Sequence, residues 1–292
     1  MSSRFPALLL MLFGLNACAT QPTPAPPEAR LWPAEGTPRG TLVALHSFGD
    51  HDDAFNLAAP ALARAGYTVY AFDQAGFGER TLEDGRWAGE DRLVADAAAM
   101  VRQAARQQPG RPLYLLGESL GGAVAMLVAA RHPELPVDGL ILAAPAVREG
   151  IRLRYGWNVL IAAAATLAPG YKLTVDRPPD DPRLAPAAAR RLADDPRVMR
   201  RVRMDAYWGL IKLADNASDA APSLTLPTLV LYGGLDTSVP AVGIERLNQH
   251  LGERGDYRYF PDGPHLLLQG RHWPAVVEAI EQWLADQPRL PH

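Results

Sequence analysis

The sequence predicts an α/β fold: a mostly parallel central sheet with helices on both faces and an inserted helical cap. Three observations predict it. Short apolar runs with little polar alternation suit strands buried on both faces. These runs alternate with amphipathic stretches long enough to be helices. The alternation then stops between about residues 148 and 222, where no strand candidate appears.

In chain order the strand candidates are residues 41–45, 68–72, 113–116, 139–143, 228–232 and 257–260. Helices are expected around 53–65, 91–107, 120–131, 241–250 and 273–287. The last of these puts Trp273, Val276, Val277, Ile280, Trp283 and Leu284 on one face at helical spacing. In the break, helical stretches are expected around 151–167 and 186–216, separated by Pro178, Pro179 and Pro182.

The most informative local feature is Gly117-Glu118-Ser119-Leu120-Gly121, between the apolar run 112–116 and the helical run 122–131. This is a G-x-S-x-G motif in a strand–turn–helix setting. Glycines two before and two after the serine let strand and helix cross closely. The helix N-terminus directs free N–H groups at the place where an oxyanion would form. A bare G-x-S-x-G in a chain with 25 glycines proves little, and the flanking elements give it meaning.

A nucleophilic serine needs a base and an orienting acid, in the order Ser, Asp or Glu, His. His265 lies in a loop closing a short strand, where it can reach the nucleophile. His272 opens the last helix and is its rival; His250 falls inside a helix and His292 is terminal. For the acid, Asp236 follows a buried strand and a glycine turn at the same sheet edge as Ser119. Asp262 is the alternative, although it lies close in sequence to His265.

These segments resemble the α/β-hydrolases of the monoacylglycerol lipase and bacterial lysophospholipase type, which include serine aminopeptidase-like proteins. The resemblance covers residues 29–292 through GESLGG, YGGLDTSVP and FPDGPHLLL. It extends to the loop from His46 to His51, the turn Asp73–Gly78 and the cap stretch 195–210. Ser47 stands where the family usually has glycine, and Ala75 where it usually has arginine. The resemblance implies the α/β-hydrolase fold and a Ser119–Asp236–His265 triad. It also implies an oxyanion hole from the backbone N–H groups of Phe48 and Leu120. His46 is expected to brace the loop backbone, and His132 to end a helix. No H-E-x-x-H or closely spaced Cys/His set signals a metal, and the chemistry requires no cofactor.

An insertion ahead of the acid-bearing strand is where such a fold carries its lid. Trp157, Leu160, Ile161, Tyr207, Trp208, Leu210 and Ile211 are expected to form an apolar roof, with Trp157 and Trp208 as candidate substrate contacts. Arg148, Arg152 and Arg154 read as a solvated basic face.

At the other end, Arg4, the short apolar run 7–13 and Leu15-Asn-Ala-Cys18 have the proportions of a secretory signal. The Leu-x-Ala-Cys ending resembles a bacterial lipobox. Cys18 is the single cysteine of the 292 residues, so it forms no internal disulfide. The expected organisation is signal 1–17, a Pro-rich tether 18–28 with Cys18 as lipid anchor, and one domain 29–292. Ala19 after the cysteine points to the outer membrane of a bacterial envelope, with a periplasmic or secreted form as the alternative. A net charge of −3 implies no nucleic-acid partner, and oligomeric state is not legible.

The reading is therefore a lipid-anchored serine hydrolase acting on carboxylic esters of single-chain lipids, monoacylglycerol or lysophospholipid. A general carboxylesterase, a prolyl-type aminopeptidase and a non-catalytic envelope binding protein are the alternatives. The peptidase would need an acidic cluster in the cap, for which Asp180, Asp181, Asp194, Asp195 and Asp205 are candidates.

Overall fold

The computed structural model describes residues 25–148 and 157–287. The expected signal, Cys18, Arg152, Arg154 and His292 lie outside the described residues. The first half of the chain contains β1 (Arg30–Trp32), β2 (Gly40–Leu45), α1 (Ala58–Arg64), β3 (Tyr67–Ala71), α2 (Glu90–Gln107), β4 (Leu113–Glu118), α3 (Leu120–Arg131) and β5 (Gly139–Ala143). The cap follows as α4 (Trp157–Leu167), β6 (Lys172–Thr174), α5 (Pro186–Asp194), β7 (Arg201–Arg203) and α6 (Met204–Ala220). The chain then returns through β8 (Thr228–Gly233), α7 (Ala241–Leu251), β9 (Gly255–Phe260) and α8 (Trp273–Asp286).

Seven strands form one sheet in the order β1-β3-β2-β4-β5-β8-β9. Every neighbouring pair is parallel except β1 with β3. Parallel neighbours require crossovers, and the helices supply them while covering both faces. Side-chain alternation divides the core accordingly. Val43, Leu45, Leu113, Leu115, Leu140 and Leu142 bury under α2, α3, α6 and α7. Leu42, Ala44, Tyr114, Leu116, Ile141 and Ala143 face α1 and α8. All six strands anticipated from the sequence are present.

Three expectations need correction. The cap holds a two-stranded antiparallel sheet, β6 with β7, where no strand was anticipated. Three-residue strands are too short to display an alternation. The expected helix 186–216 is two helices, because Pro196 disfavours helical backbone at the preceding residue. Asp195 accordingly takes φ −68°, ψ 121° and ends α5. The expected helix 53–65 is a tight turn at Asp52–Phe55 followed by α1.

Glycines let α3 leave β4 at a sharp angle. A Cβ on Gly117 would lie 2.4 Å from the Gly121 backbone, and one on Gly121 would lie 2.0 Å from the Leu45 carbonyl oxygen. Neither backbone contact can yield without moving a strand. The crossing is fixed by steric exclusion.

A buried polar network ties the cap to the core. Arg191 of α5 donates to both oxygens of Asp50, at 2.7 and 2.9 Å, and to Gln269 Oε1 at 2.8 Å. Gln269 Nε2 bridges Asp50 Oδ2 at 3.0 Å and Glu118 Oε2 at 3.1 Å. Glu118 Oε1 accepts from the Leu268 N–H at 2.9 Å. Nearby, Arg197 joins Asp53 and Asp195 at 2.5 and 2.7 Å, and His51 Nε2 lies 3.2 Å from Asp195. Burial alone would push the Asp50 carboxyl up, but the Arg191 charge and hydrogen bonds outweigh it and hold it low. Glu118 has no such cation. Burial raises its carboxyl to about 7, although Leu268 and Gln269 partly offset the effect.

Two outcomes follow from this packing. Gly121→Ala should destabilise the protein by more than the 1–3 kcal/mol typical of overpacking, roughly, because the obstacle is backbone. Thermal melting would read this, and an unchanged midpoint would contradict the crossing argument. For Glu118 the folded pKa lies above the unfolded one, so the native state binds the extra proton between about pH 4.5 and about 7. Its contribution is fully present below that window and is lost as pH rises through about 7. Glu118→Gln should flatten the fall in denaturation midpoint across that window, and an identical slope in both proteins would contradict the assignment.

Candidate active site

The carboxyl ends of β4, β8 and β9 bring Ser119, Asp236 and His265 to one edge of the sheet. Ser119 sits between β4 and α3 at φ 53°, ψ −113°, a backbone region that costs an L-residue of order 1–3 kcal/mol. Backbone bonds hold it there: its N–H donates to Ala143 O at 2.9 Å, and its carbonyl accepts from Ala146 at 2.9 Å. The strain lifts the hydroxyl off the sheet towards the loop after β9.

There His265 Nε2 lies 2.9 Å from Ser119 Oγ, and His265 Nδ1 lies 2.9 Å from Asp236 Oδ2. The other Asp236 oxygen accepts from the N–H groups of Ser238 and Val239, at 2.7 and 3.0 Å. The Asp236 side chain is fully buried, and His265 is one-fifth exposed. An ionised carboxylate only accepts, so Nδ1 carries a proton and Nε2 is left to accept from the serine hydroxyl. The three residues form one directed hydrogen-bond chain. The rival residues are elsewhere: His272 caps α8 at the exposed surface, His250 lies in α7, and Asp262 is exposed.

The loop after β2 completes the edge. His46 is fully buried, with Nδ1 2.8 Å from Ser47 O and Nε2 accepting from the Gln74 N–H at 3.0 Å. Burial pulls its pKa down, which the Ser47 carbonyl opposes only in part. Neutral and doubly bonded, it braces the loop as expected. Ser47 has no positive φ, so glycine is not required there; Gly49 takes φ 76° instead. Around Ala75, the turn is held by Arg80, which bonds Asp73 O at 2.9 Å and Asp96 at 2.6 Å. Among the described residues no acceptor takes the N–H of Phe48 or of Leu120. The Phe48 ring packs edge-on against Phe77 and stacks on Trp87, with centroids 5.2 and 6.4 Å apart.

A cavity of about 860 Å³ opens over Ser119 and His265. Cap residues Ile161, Leu173, Val175, Val202, Leu210 and Ile211 supply an apolar wall. Ile161, Tyr207, Leu210 and Ile211 are thus placed as anticipated. Trp208 is not: it lies one residue off the α6 face that lines the cavity, and it is only partly buried. The Trp157 side chain lies outside the described residues. Trp87 was missed; its indole occupies the space left by Gly209, where a Cβ would lie 2.5 Å from the ring. Trp87 does not line the cavity; Arg177, Thr237 and Ser238 do, and were missed. Isolated polar residues in loops have no periodicity that could reveal them.

Two groups of possible metal ligands meet at His51, one with Asp53 and Asp195, the other with Asp52 and Asp73. Their ligand atoms are already engaged. Arg197 holds Asp53 and Asp195, and Asp73 accepts from the N–H groups of Asp52 and Glu79 at 2.9 and 2.7 Å. This is an ion-pair and turn network that fastens the cap.

Residues 36–271 match the family described as serine aminopeptidase, S33. The chain is 26% identical to the monoacylglycerol lipase of Mycolicibacterium smegmatis, over 88% of this chain and 91% of that protein. It is 29% identical to the human monoglyceride lipase, over 88% of this chain and 86% of the relative. In three dimensions it is similar to a soluble variant of the Saccharomyces cerevisiae monoglyceride lipase. The TM-score is 0.75 at 18% identity, covering 88% of this chain and 90% of that one. The match spans six of the seven strands of the sheet, the cap and all three members of the hydrogen-bond chain, and this protein therefore belongs to the serine aminopeptidase S33 family of α/β-hydrolases.

Proposed function

We propose that the protein cleaves carboxylic esters of single-chain lipids, of the monoacylglycerol type, through an acyl-enzyme at Ser119. One observation carries the reading: the Ser119–His265–Asp236 chain opens into a large apolar cavity whose described lining contains no carboxylate. An aminopeptidase site would need acidic groups there to hold a free amino terminus. Three of the five candidate cap carboxylates are used otherwise: Asp181 on Arg183, Asp195 on Arg197 and Asp205 on Arg203. The names borne by the M. smegmatis and human relatives support the same substrate class.

In this mechanism Ser119 Oγ attacks the acyl carbon while His265 Nε2 takes its proton. Asp236 keeps the imidazole in the required tautomer and stabilises its charged form. The unengaged N–H groups of Phe48 and Leu120 hold the oxyanion, an interaction worth a few kcal/mol in a water-poor site. His265 then protonates the leaving alcohol, and water repeats the sequence on the acyl-enzyme. The acyl chain runs along Ile161, Leu210 and Ile211. Exposed Val159, Leu160 and Leu167 on α4 give the cap an apolar outer surface, which suits a substrate drawn from lipid. We further infer that Cys18 carries the lipid anchor and holds the enzyme at a bacterial envelope, in the outer membrane.

Ser119→Ala should abolish turnover with folding intact. Asp236→Asn should cost roughly ten-thousandfold in kcat through loss of the tautomer. Severe loss in His272→Ala with a mild effect in His265→Ala would reverse the base assignment. Across an acyl series, kcat/KM should climb with each methylene by up to about 0.8 kcal/mol until the cavity is full. Ile211→Ala should flatten that slope. A maximum at acetate, or fast cleavage of proline anilide, would point to a carboxylesterase or a peptidase. Cys18→Ser should move the exported protein out of the detergent phase, and soluble wild type starting at another residue would refute the anchor.

A further inference from the structure

Two guanidinium groups, Arg148 and Arg177, line the cavity beside Ser119. Arg148 is half engaged: Nη2 donates to Asn158 Oδ1 at 2.9 Å, while Nη1 is buried without a hydrogen-bond partner. Arg177 is engaged less. Among the described residues no hydrogen bond or ion pair joins its side chain, and its Nε is buried without an acceptor. Asp50 is close enough to favour its charge, yet burial still draws its pKa below the ordinary value. Asp50 is itself committed to Arg191 through two hydrogen bonds, so it does not neutralise a second cation. An arginine remains charged even so. A half-buried cation lacking an acceptor carries a desolvation cost that a bound anion would relieve.

The position of Arg177 says which part of a substrate it meets. It also lines a smaller cavity of about 160 Å³ that adjoins the first along Thr237, Ser238, His265 and Leu266. Ser119 and Phe48 line only the larger one. The acids of the smaller cavity are Asp176, which is exposed, and Asp181, held by Arg183 at 2.7 Å. In ester cleavage the base returns its proton to the leaving alcohol, so the alcohol half departs on the side of His265. His265 lines this branch as well, whereas Ile161, Leu210 and Ile211 line only the larger cavity.

We propose that Arg177 binds a phosphate or phosphodiester on the alcohol half of the ester, making anionic lysolipids better substrates than neutral monoacylglycerols. This rests on the single-chain ester reading above and selects a head group within it. The planar guanidinium fork matches two phosphate oxygens, whereas a glycerol hydroxyl offers it one weak acceptor.

The test compares kcat/KM for lauroyl esters of glycerol and of glycerol 3-phosphate, each below its critical micelle concentration. Wild type should favour the phosphate ester by about tenfold or more, as one charge-assisted pair implies. In Arg177→Met the ratio should collapse towards unity, and Arg177→Lys should restore part of it. Added salt should reduce the wild-type ratio and leave that of Arg177→Met unmoved. A wild type that cleaves both esters without preference would overturn the head-group assignment alone. So would an Arg177→Met variant that loses both activities in proportion, the result of a structural role or of contact with the fatty-acid carboxylate. A folded wild type inert on both would overturn the lipid reading and this inference together.

Discussion

The site depends on a steric constraint at the end of β4. There the chain must turn from a buried strand into a buried helix within one residue, and Ser119 is that residue. With no Cβ at Gly117 and Gly121, α3 can lie against its own strand and against Leu45 of the neighbouring one. The positive φ of Ser119 is the consequence, and the sheet around it supplies the free energy that maintains it. The strain raises the hydroxyl, and the same turn starts a helix whose first N–H groups have no intrahelical acceptor. The proposed nucleophile and the proposed oxyanion donor thus come from one packing event.

The second constraint is electrostatic. Six charged or polar groups from four separate segments gather behind the site: Asp50, His51, Glu118 and Gln269, which are buried, with Arg191 and Asp195, which are partly so. Desolvating any one alone would cost several kcal/mol, roughly, whereas pairing recovers most of it. Arg191 therefore does more than join cap to core. Removing it would leave Asp50 as an uncompensated buried charge, one residue after Gly49 and two after Phe48. The geometry of the expected oxyanion loop and the docking of α5 are set by the same guanidinium.

Much of this was legible in the sequence because it arises from local rules. Five of the six anticipated strands are short apolar runs, the exception being 257–260 with Arg258, and the G-x-S-x-G glycines mark a turn that nothing else fits. Chain order then directed attention to Asp236 and His265. The cap was only partly legible. β6 and β7 are three residues long, the break before Pro196 divides one helical pattern into two, and Arg177 lies in a proline-rich stretch without periodicity. Trp208 belongs to the expected apolar roof, but the cavity is lined by its neighbours Tyr207, Leu210 and Ile211. Which face of a helix looks inward is decided by tertiary packing, and the unbroken run Tyr207–Ile211 places apolar residues on more than one face.

The uneven legibility reflects how the molecule divides its tasks. Groups that handle the reacting bond sit on strand ends, where hydrogen bonds on every side fix them: both Asp236 oxygens are occupied, and both His46 ring nitrogens are used. Changing one of them disturbs its partners. Groups proposed to face the rest of the substrate sit mainly on the cap, where apolar contacts are interchangeable and Arg177 bonds to no described residue. A substitution there alters what the cavity accepts without breaking a bond on which the triad relies. The same fold can therefore keep its chemistry while its substrate changes, so identity at the sheet edge speaks to reaction type and the cap must be read residue by residue for the substrate.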